Sequence, residues 1–185
     1  MAGTLSVSHI QGLATHSSPT TVSIASGHKL HAPGHILQVV HNNTIVQVTT
    51  NSTSYTSTTL SGTITPKFSN SKILVNAFIH CKLRGDHDHG MGFKITRAIS
   101  GGATSDAWTG AVSYEEYMYA SDGGTGSGTF DIRGRRPISF LDTPSTTSAC
   151  TYLVYYRSYR TDVNNAPIVQ SDGTESMITL QEVAA

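Results

Sequence analysis

Apolar and polar residues alternate with a period of two through most of this chain, and that pattern decides what it can fold into. In SKILVNAFIHCKL (71–83), Ile73, Val75, Ala77, Ile79 and Cys81 fall on one side, and Leu74, Asn76, Phe78, His80 and Lys82 on the other. An extended strand with one buried face produces such a pattern, because its successive side chains point to opposite faces. ACTYLVYYRSYR (149–160) behaves likewise, setting Tyr152, Val154, Tyr156 and Ser158 against Leu153, Tyr155, Arg157 and Tyr159. Further strands are predicted at 35–41, 44–50, 56–66, 92–99, 111–121, 128–134, 137–143 and 176–183. Turn formers separate them, among them Asn42-Asn43, Ser69-Asn70, Gly101-Gly102, Asp142-Thr143-Pro144 and Asp172-Gly173. No helical stretch of useful length interrupts the series. Short strands at this regular spacing predict an all-β fold, an antiparallel β-sandwich with a jelly-roll-like head.

The first 33 residues do not follow the pattern. Short apolar pairs there are broken by Ser, Thr, Gly and Pro, too sparsely to build a core. Residues 1–33 are therefore expected to form an extended N-terminal arm, and residues 34–185 the β-sandwich domain. The apolar side chains of the arm, Leu5, Val7, Ile10, Val22 and Ile24, are its expected attachment contacts to a larger particle. The first ten residues lack a basic segment followed by an apolar one, and no run reaches the roughly 20 apolar residues of a membrane helix. Synthesis in a cytoplasm is expected, without membrane insertion.

Charge narrows the partners. Lys and Arg number 12 and Asp and Glu number 12, so the net charge is zero and nothing marks a phosphate-binding surface. Nucleic acid is not an expected partner. Ser and Thr together number 48 of 185 residues, so the surface is rich in hydroxyls and poor in charge. Cys81 and Cys150 each lie inside a predicted strand, where two buried free thiols are the plainer reading; a cross-strand disulfide stays open.

Catalytic chemistry finds little support. Ser is abundant without a nucleophile elbow, and Glu115 and Glu116 are sequence neighbours on opposite strand faces. No phosphate loop or dinucleotide fingerprint occurs. The chain is expected to be no enzyme and to need no cofactor. His87 and His89 in RGDHDHG (84–90) are weak metal candidates, because on a strand they would share a face. A single copy offers no convincing further ligands, whereas three copies about an axis would offer six imidazoles. A polar loop tip is the plainer account. His87, Asp88, His89, Trp108, Tyr114, Tyr117 and Tyr119 are the candidate surface or glycan contacts. The tyrosines of 114–119 and 152–159 read either as a sugar-stacking platform or as interface and core aromatics. Arg133, Arg135 and Arg136 are expected to pair across a subunit contact.

The order of GHILQVVHNNT, TSTTLSGTITPKFSNSKILVNAFI, PISFLDTPSTTSACTYLVYYR and SMITLQEVAA resembles a group of small structural proteins of tailed bacteriophages, notably phages of cyanobacteria and other marine bacteria. TLSVSHIQG resembles the start of such proteins, and 101–128 departs most from the pattern. The resemblance implies a non-enzymatic component of the virion exterior, a homotrimer attached by its arm to other virion proteins. A tail fibre or fibre-like part facing a host surface glycan is the first reading. A capsid decoration (cement) protein is the alternative, and a free carbohydrate-binding module a further one.

Overall fold

The structure is a computed structural model, and it describes residues 32–86, 88–110, 118–120, 130–161, 164 and 166–185. Among the described residues eleven strands occur in this order: β1 (Ile36–Thr44), β2 (Val48–Thr49), β3 (Thr56–Ile64), β4 (Lys72–Gly85), β5 (His89–Ile99), β6 (Thr104–Thr109), β7 (Met118–Ala120), β8 (Phe130–Asp142), β9 (Cys150–Ser158), β10 (Ile168–Val169) and β11 (Ser176–Val183). Among the described residues the one helical element is a 3-10 turn at Ser171–Gly173, and no helix is long and apolar enough to cross a membrane.

All pairings are antiparallel and build two sheets. In the first, β1 pairs with β11, β11 with β4, and β4 with β8. Short β10 continues the line of β11 along the same edge of β4, and β2 continues β1 beside β10. In the second, β3 pairs with β9 and β9 with β5, while β6 and β7 share the remaining edge of β5. Each sheet thus has four lanes: β1/β2, β10/β11, β4 and β8 in one, and β3, β9, β5 and β6/β7 in the other.

The all-β sandwich predicted from alternation is the observed fold, and the two strands read most closely have the predicted faces. Ile73, Val75, Ala77, Ile79 and Cys81 of β4 are fully buried, as are Tyr152, Val154 and Tyr156 of β9. They meet Leu60, Phe93, Ile95, Ile178 and Leu180 in one core between the sheets. Burying such side chains contributes about 1.5–3 kcal/mol each before entropy is charged. Cys81 and Cys150 are buried free thiols, and burial pushes the Cys81 thiol up to about 12.

Several boundaries differ from expectation: of the strand predicted at 44–50 only β2 and the last residue of β1 are extended, and β6 and β10 lie outside the predicted runs. The strands predicted at 128–134 and 137–143 meet in one strand, β8 (Phe130–Asp142), which runs through Pro137. Among the described residues β8 is an edge strand paired with β4 alone, a place where a ladder tolerates the missing proline N–H. Asn42 and Asn43 are not a turn but lie inside β1, where their side chains tie the strand to its surroundings: the Asn42 amide donates to the Ser61 carbonyl at 2.7 Å, and that of Asn43 to Glu175.

Side-chain donors to backbone carbonyls close one flank of the sandwich. Besides Asn42, Gln38 donates to the Thr65 carbonyl at 2.7 Å, and Lys67 Nζ to the Leu37 carbonyl at 2.8 Å, joining β1 to the far end of β3. A double register step in β3 between Ser57 and Ser61 is held by hydroxyls: Thr58 Oγ1 donates to the Val154 carbonyl and accepts from Leu60 N, while Thr59 takes φ 66°. Here the Ser/Thr excess serves as a substitute for missing ladder bonds.

Glu182 is fully buried at the end of β11, and its carboxylate accepts from Gln38 Nε2 (2.6 Å), Lys67 N (2.7 Å) and Phe68 N (3.3 Å). It anchors the turn from β3 to β4. Glu182→Ala should destabilise the domain by about 3 kcal/mol, because two backbone donors lose their acceptor in a dry site. Glu182→Gln, which keeps one acceptor oxygen, should cost about 1 kcal/mol. Urea unfolding of the two variants checks the order, and equal midpoints would contradict it.

Candidate functional site

The outward face of the second sheet gathers aromatic and cationic side chains. Inward residues of β9 alternate with outward Thr151, Leu153, Tyr155 and Arg157, and Tyr159 continues the row by donating its N–H to the Gly90 carbonyl at 2.9 Å. On β5, Lys94 stands opposite Tyr155, and Gly92 stands opposite Arg157. Lys94 Nζ lies 5.0 Å from the ring centre of Tyr55 and 5.7 Å from that of Tyr155. Arg157 Cζ lies 5.1 Å from the Tyr55 ring, and Arg160 Cζ 5.4 Å from the Tyr159 ring. Such cation–π pairs contribute roughly 0.5–1 kcal/mol each at a surface, and hold long side chains in place. Lys94 also pairs with Asp106 at 3.0 Å, where half-exposed Asp106 limits the gain.

The side chains predicted as contacts separate into different environments. Tyr119 belongs to this outward face: it stands opposite Gly90, whose absent side chain makes room for its ring, and meets Tyr159 edge-on at 5.5 Å. A Cβ on Gly90 would come within 2.9 Å of the Met118 carbonyl. Trp108 turns inward instead. It is half-buried and stacks on Phe140 of β8 at 6.5 Å, closing the flank between β6 and β8. His89 is fully buried at the start of β5, opposite Ala120, while Asp88 is half-buried in the preceding connection. His87, Tyr114 and Tyr117 lie outside the described residues, as do Leu5, Val7, Ile10, Val22 and Ile24 of the expected arm. The expected pairing of His87 with His89 on one strand face falls there too. Among the described residues no three His, Cys, Asp or Glu side chains converge on a point that would hold a metal.

Sequence reasoning missed Tyr55 and Lys94. Tyr55 sits in a Ser/Thr-rich connection with no strand period, so nothing local marks it. Lys94 was legible as the outward neighbour of Tyr155 only once the β5–β9 register was known.

The basic cluster on β8 borders a small cleft of about 190 Å³, lined by Met118, Ile132, Gly134 and the three arginines. Arg133 is held by Asp131 at 3.0 Å and by Asp172 at 2.8 Å. Burial, then Arg135 and Arg133, hold the neighbouring His80 below its ordinary range, so it stands neutral beside them. Among the described residues the cleft lining carries no carboxylate, thiol or imidazole.

The outward face of the first sheet is different again. Leu74 of β4 stands between Leu141 of β8 and Gln181 of β11, and Gln181 is in turn opposite Val39 of β1. Two steps along β4, past Asn76, Phe78 stands between Pro137 and Met177. Val39 is 56%, Leu141 52% and Phe78 43% exposed, and Ile45 and Val46 beyond the end of β1 reach 61% and 56%. These are apolar rows on a surface that a single soluble copy would be expected to keep polar.

No protein-family model matches the chain, and no curated protein sequence is similar to it.

Proposed function

We propose that this chain is a non-enzymatic structural component of the exterior of a tailed-phage virion, fibre-like, working as a trimer whose copies meet through the outward face of the first sheet. The observation that carries this reading is the pair of apolar rows through Val39, Leu74 and Leu141 and through Met177, Phe78 and Pro137. Apolar rows around a narrow polar strip, here Asn76 and Ser139, have the composition of an interface core, and covering them with a sister copy removes the cost of their exposure. The number three and the virion setting come from the sequence resemblance.

We further read the sandwich as a jelly roll, an architecture that virion proteins and lectins share. Lane pairing supports this. Counting lanes in chain order, the first pairs with the eighth (β1 with β11), the second with the seventh (β3 with β9), the third with the sixth (β4 with β8) and the fourth with the fifth (β5 with β6). A long hairpin of four lanes paired with four, rolled into two sheets, produces that order.

An antibody raised against residues 32–185 tests the setting. It should label the surface of purified tailed virions from lysates of the host in which the chain is made, and a chain lacking residues 1–31 should fold yet leave the virions unlabelled. Abundant chain in the soluble lysate, with purified virions free of it, would contradict the proposal.

A further inference from the structure

We infer that the outer edge of β8 takes up one extended segment of a partner protein, which lays an apolar side chain in the cleft over Gly134 and an acid beside Arg135. The inference concerns an edge, not the face proposed for assembly, and it holds for a monomer as well as a trimer. Ladder geometry fixes which backbone groups this edge offers. The His80 N–H donates to Ser176 Oγ at 2.8 Å and the His80 carbonyl accepts from Gln170 N at 3.1 Å, so both point away from β8. In an antiparallel ladder the N–H and C=O of one residue lie on the same side. Arg135, opposite His80, therefore turns its own N–H and C=O away from β4, and Arg133, in the same phase, does likewise. Pro137 shares that phase, so its missing N–H costs no bond to β4. Among the described residues no strand pairs with this edge.

The cleft lies along the same stretch. Gly134 is opposite Cys81, which is fully buried between the sheets, so the position over Gly134 faces inward. A Cβ built there would meet nothing within 4 Å. Ile132, 41% exposed, and Met118 of β7 wall the space, and its volume of about 190 Å³ takes one apolar side chain. A segment added to β8 places one residue opposite Gly134 with its side chain in the cleft. The residues on either side of it stand opposite Arg133 and Arg135, exchange main-chain hydrogen bonds with them and turn their side chains outward. Strand addition of this kind takes its affinity from the main chain and its specificity from pockets for alternate side chains.

Charge selects the occupant. Asp131 and Asp172 engage Arg133 and leave Arg135 without an ion pair among the described residues, so an acid in the added segment has a partner there. The β8 strand of a second copy, laid antiparallel about Gly134, would instead set arginine against arginine, and like charges directly opposite are destabilising. Residues 1–31 of the chain contain one charged side chain, Lys29, and bring no acid. A segment of another protein, apolar at its centre with an acid next to it, fits where these two do not.

Fluorescence anisotropy of a labelled heptapeptide, Thr-Thr-Glu-Leu-Glu-Thr-Thr, with the full chain tests this; a glutamate on each side of the leucine serves either strand direction. The heptapeptide should bind, and N-methylation of its two glutamate amides should weaken binding at least about tenfold, because those amides make the main-chain bonds. Alanine in place of its leucine should weaken binding about tenfold. Gly134→Val, which fills the cleft at a position whose backbone accepts a side chain, should do the same, and Arg135→Gln should weaken binding about threefold, with thermal unfolding unchanged in both variants. Failure of the heptapeptide to bind overturns the proposal, as does binding unchanged by N-methylation or by Gly134→Val. Isocaproate, a small acid with the leucine shape, should not displace the heptapeptide; displacement at equal concentration overturns strand addition and leaves a site for small apolar acids.

Discussion

Asp142→Ala should lower the stability of the domain by about 3 kcal/mol, the loss associated with stripping one partner from a buried ion pair. Asp142 ends β8 in the first sheet, yet its carboxylate is bound almost entirely from the second. Arg97 Nη1 of β5 donates to both oxygens, at 2.7 and 2.6 Å, and the Tyr152 hydroxyl of β9 donates at 2.7 Å. The Thr143 N–H adds a fourth bond at 2.9 Å. The Arg97 and Asp142 side chains are 17% and 11% exposed, so water replaces little of what is lost. Burial, and after it the Asp142 carboxylate, push the Tyr152 phenol above its usual range, which keeps it a neutral donor across the ordinary pH range. Removing the carboxylate leaves a guanidinium and a phenol facing one another in a dry space. For a domain of this size the melting temperature should fall by about 10 °C. Tyr152→Phe, which leaves the ion pair intact, should cost about 1 kcal/mol. A loss below about 0.5 kcal/mol in Asp142→Ala would mean that the two sheets are not joined through this carboxylate.

Phe78→Asp combined with Leu141→Asp should abolish self-association while leaving the domain folded. Both side chains point away from the core and are 43% and 52% exposed in the single chain, so a carboxylate at either position stays hydrated. At a contact between copies the same two carboxylates are buried without partners, at a cost of several kcal/mol per copy. Association falls by orders of magnitude, and the melting temperature of the isolated domain moves by a few degrees at most. An Asn76→Ala control removes only the bond with Ser139 Oγ in the polar strip between the apolar rows and should reduce association far less. Size-exclusion chromatography with light scattering separates the outcomes. Undiminished association in the double variant would place the contact on another face.

Period-two patterning made the fold class legible because one-sided burial imposes the alternation directly. β4 and β9 could be assigned to inner and outer faces residue by residue, since their inward positions are all apolar or small. What pattern alone did not show depends on register. TSDAWT (104–109) was passed over because its outward positions are Thr, Ser and Asp, yet Trp108 pairs opposite Ile95 and stacks on Phe140 to close a flank. Separate strands were expected at 128–134 and 137–143; Pro137 would break a central strand, but on an edge it breaks nothing. Glu182 carries no local mark of burial: its burial follows from two turn amides 115 and 114 residues away in sequence, which no local window contains. The platform of Tyr55, Lys94, Tyr155 and Arg157 is hidden in the same way: it joins a loop, β5 and β9, and only the β5–β9 ladder brings its parts together.

Sedimentation equilibrium of the purified full chain measures the claim that most of this account rests on, that sister copies cover the apolar face of the first sheet. The account predicts a single species at three times the 19.7 kDa chain mass, persisting on dilution into the micromolar range. A species of 19.7 kDa at every concentration, with the apolar rows left facing water, would contradict it.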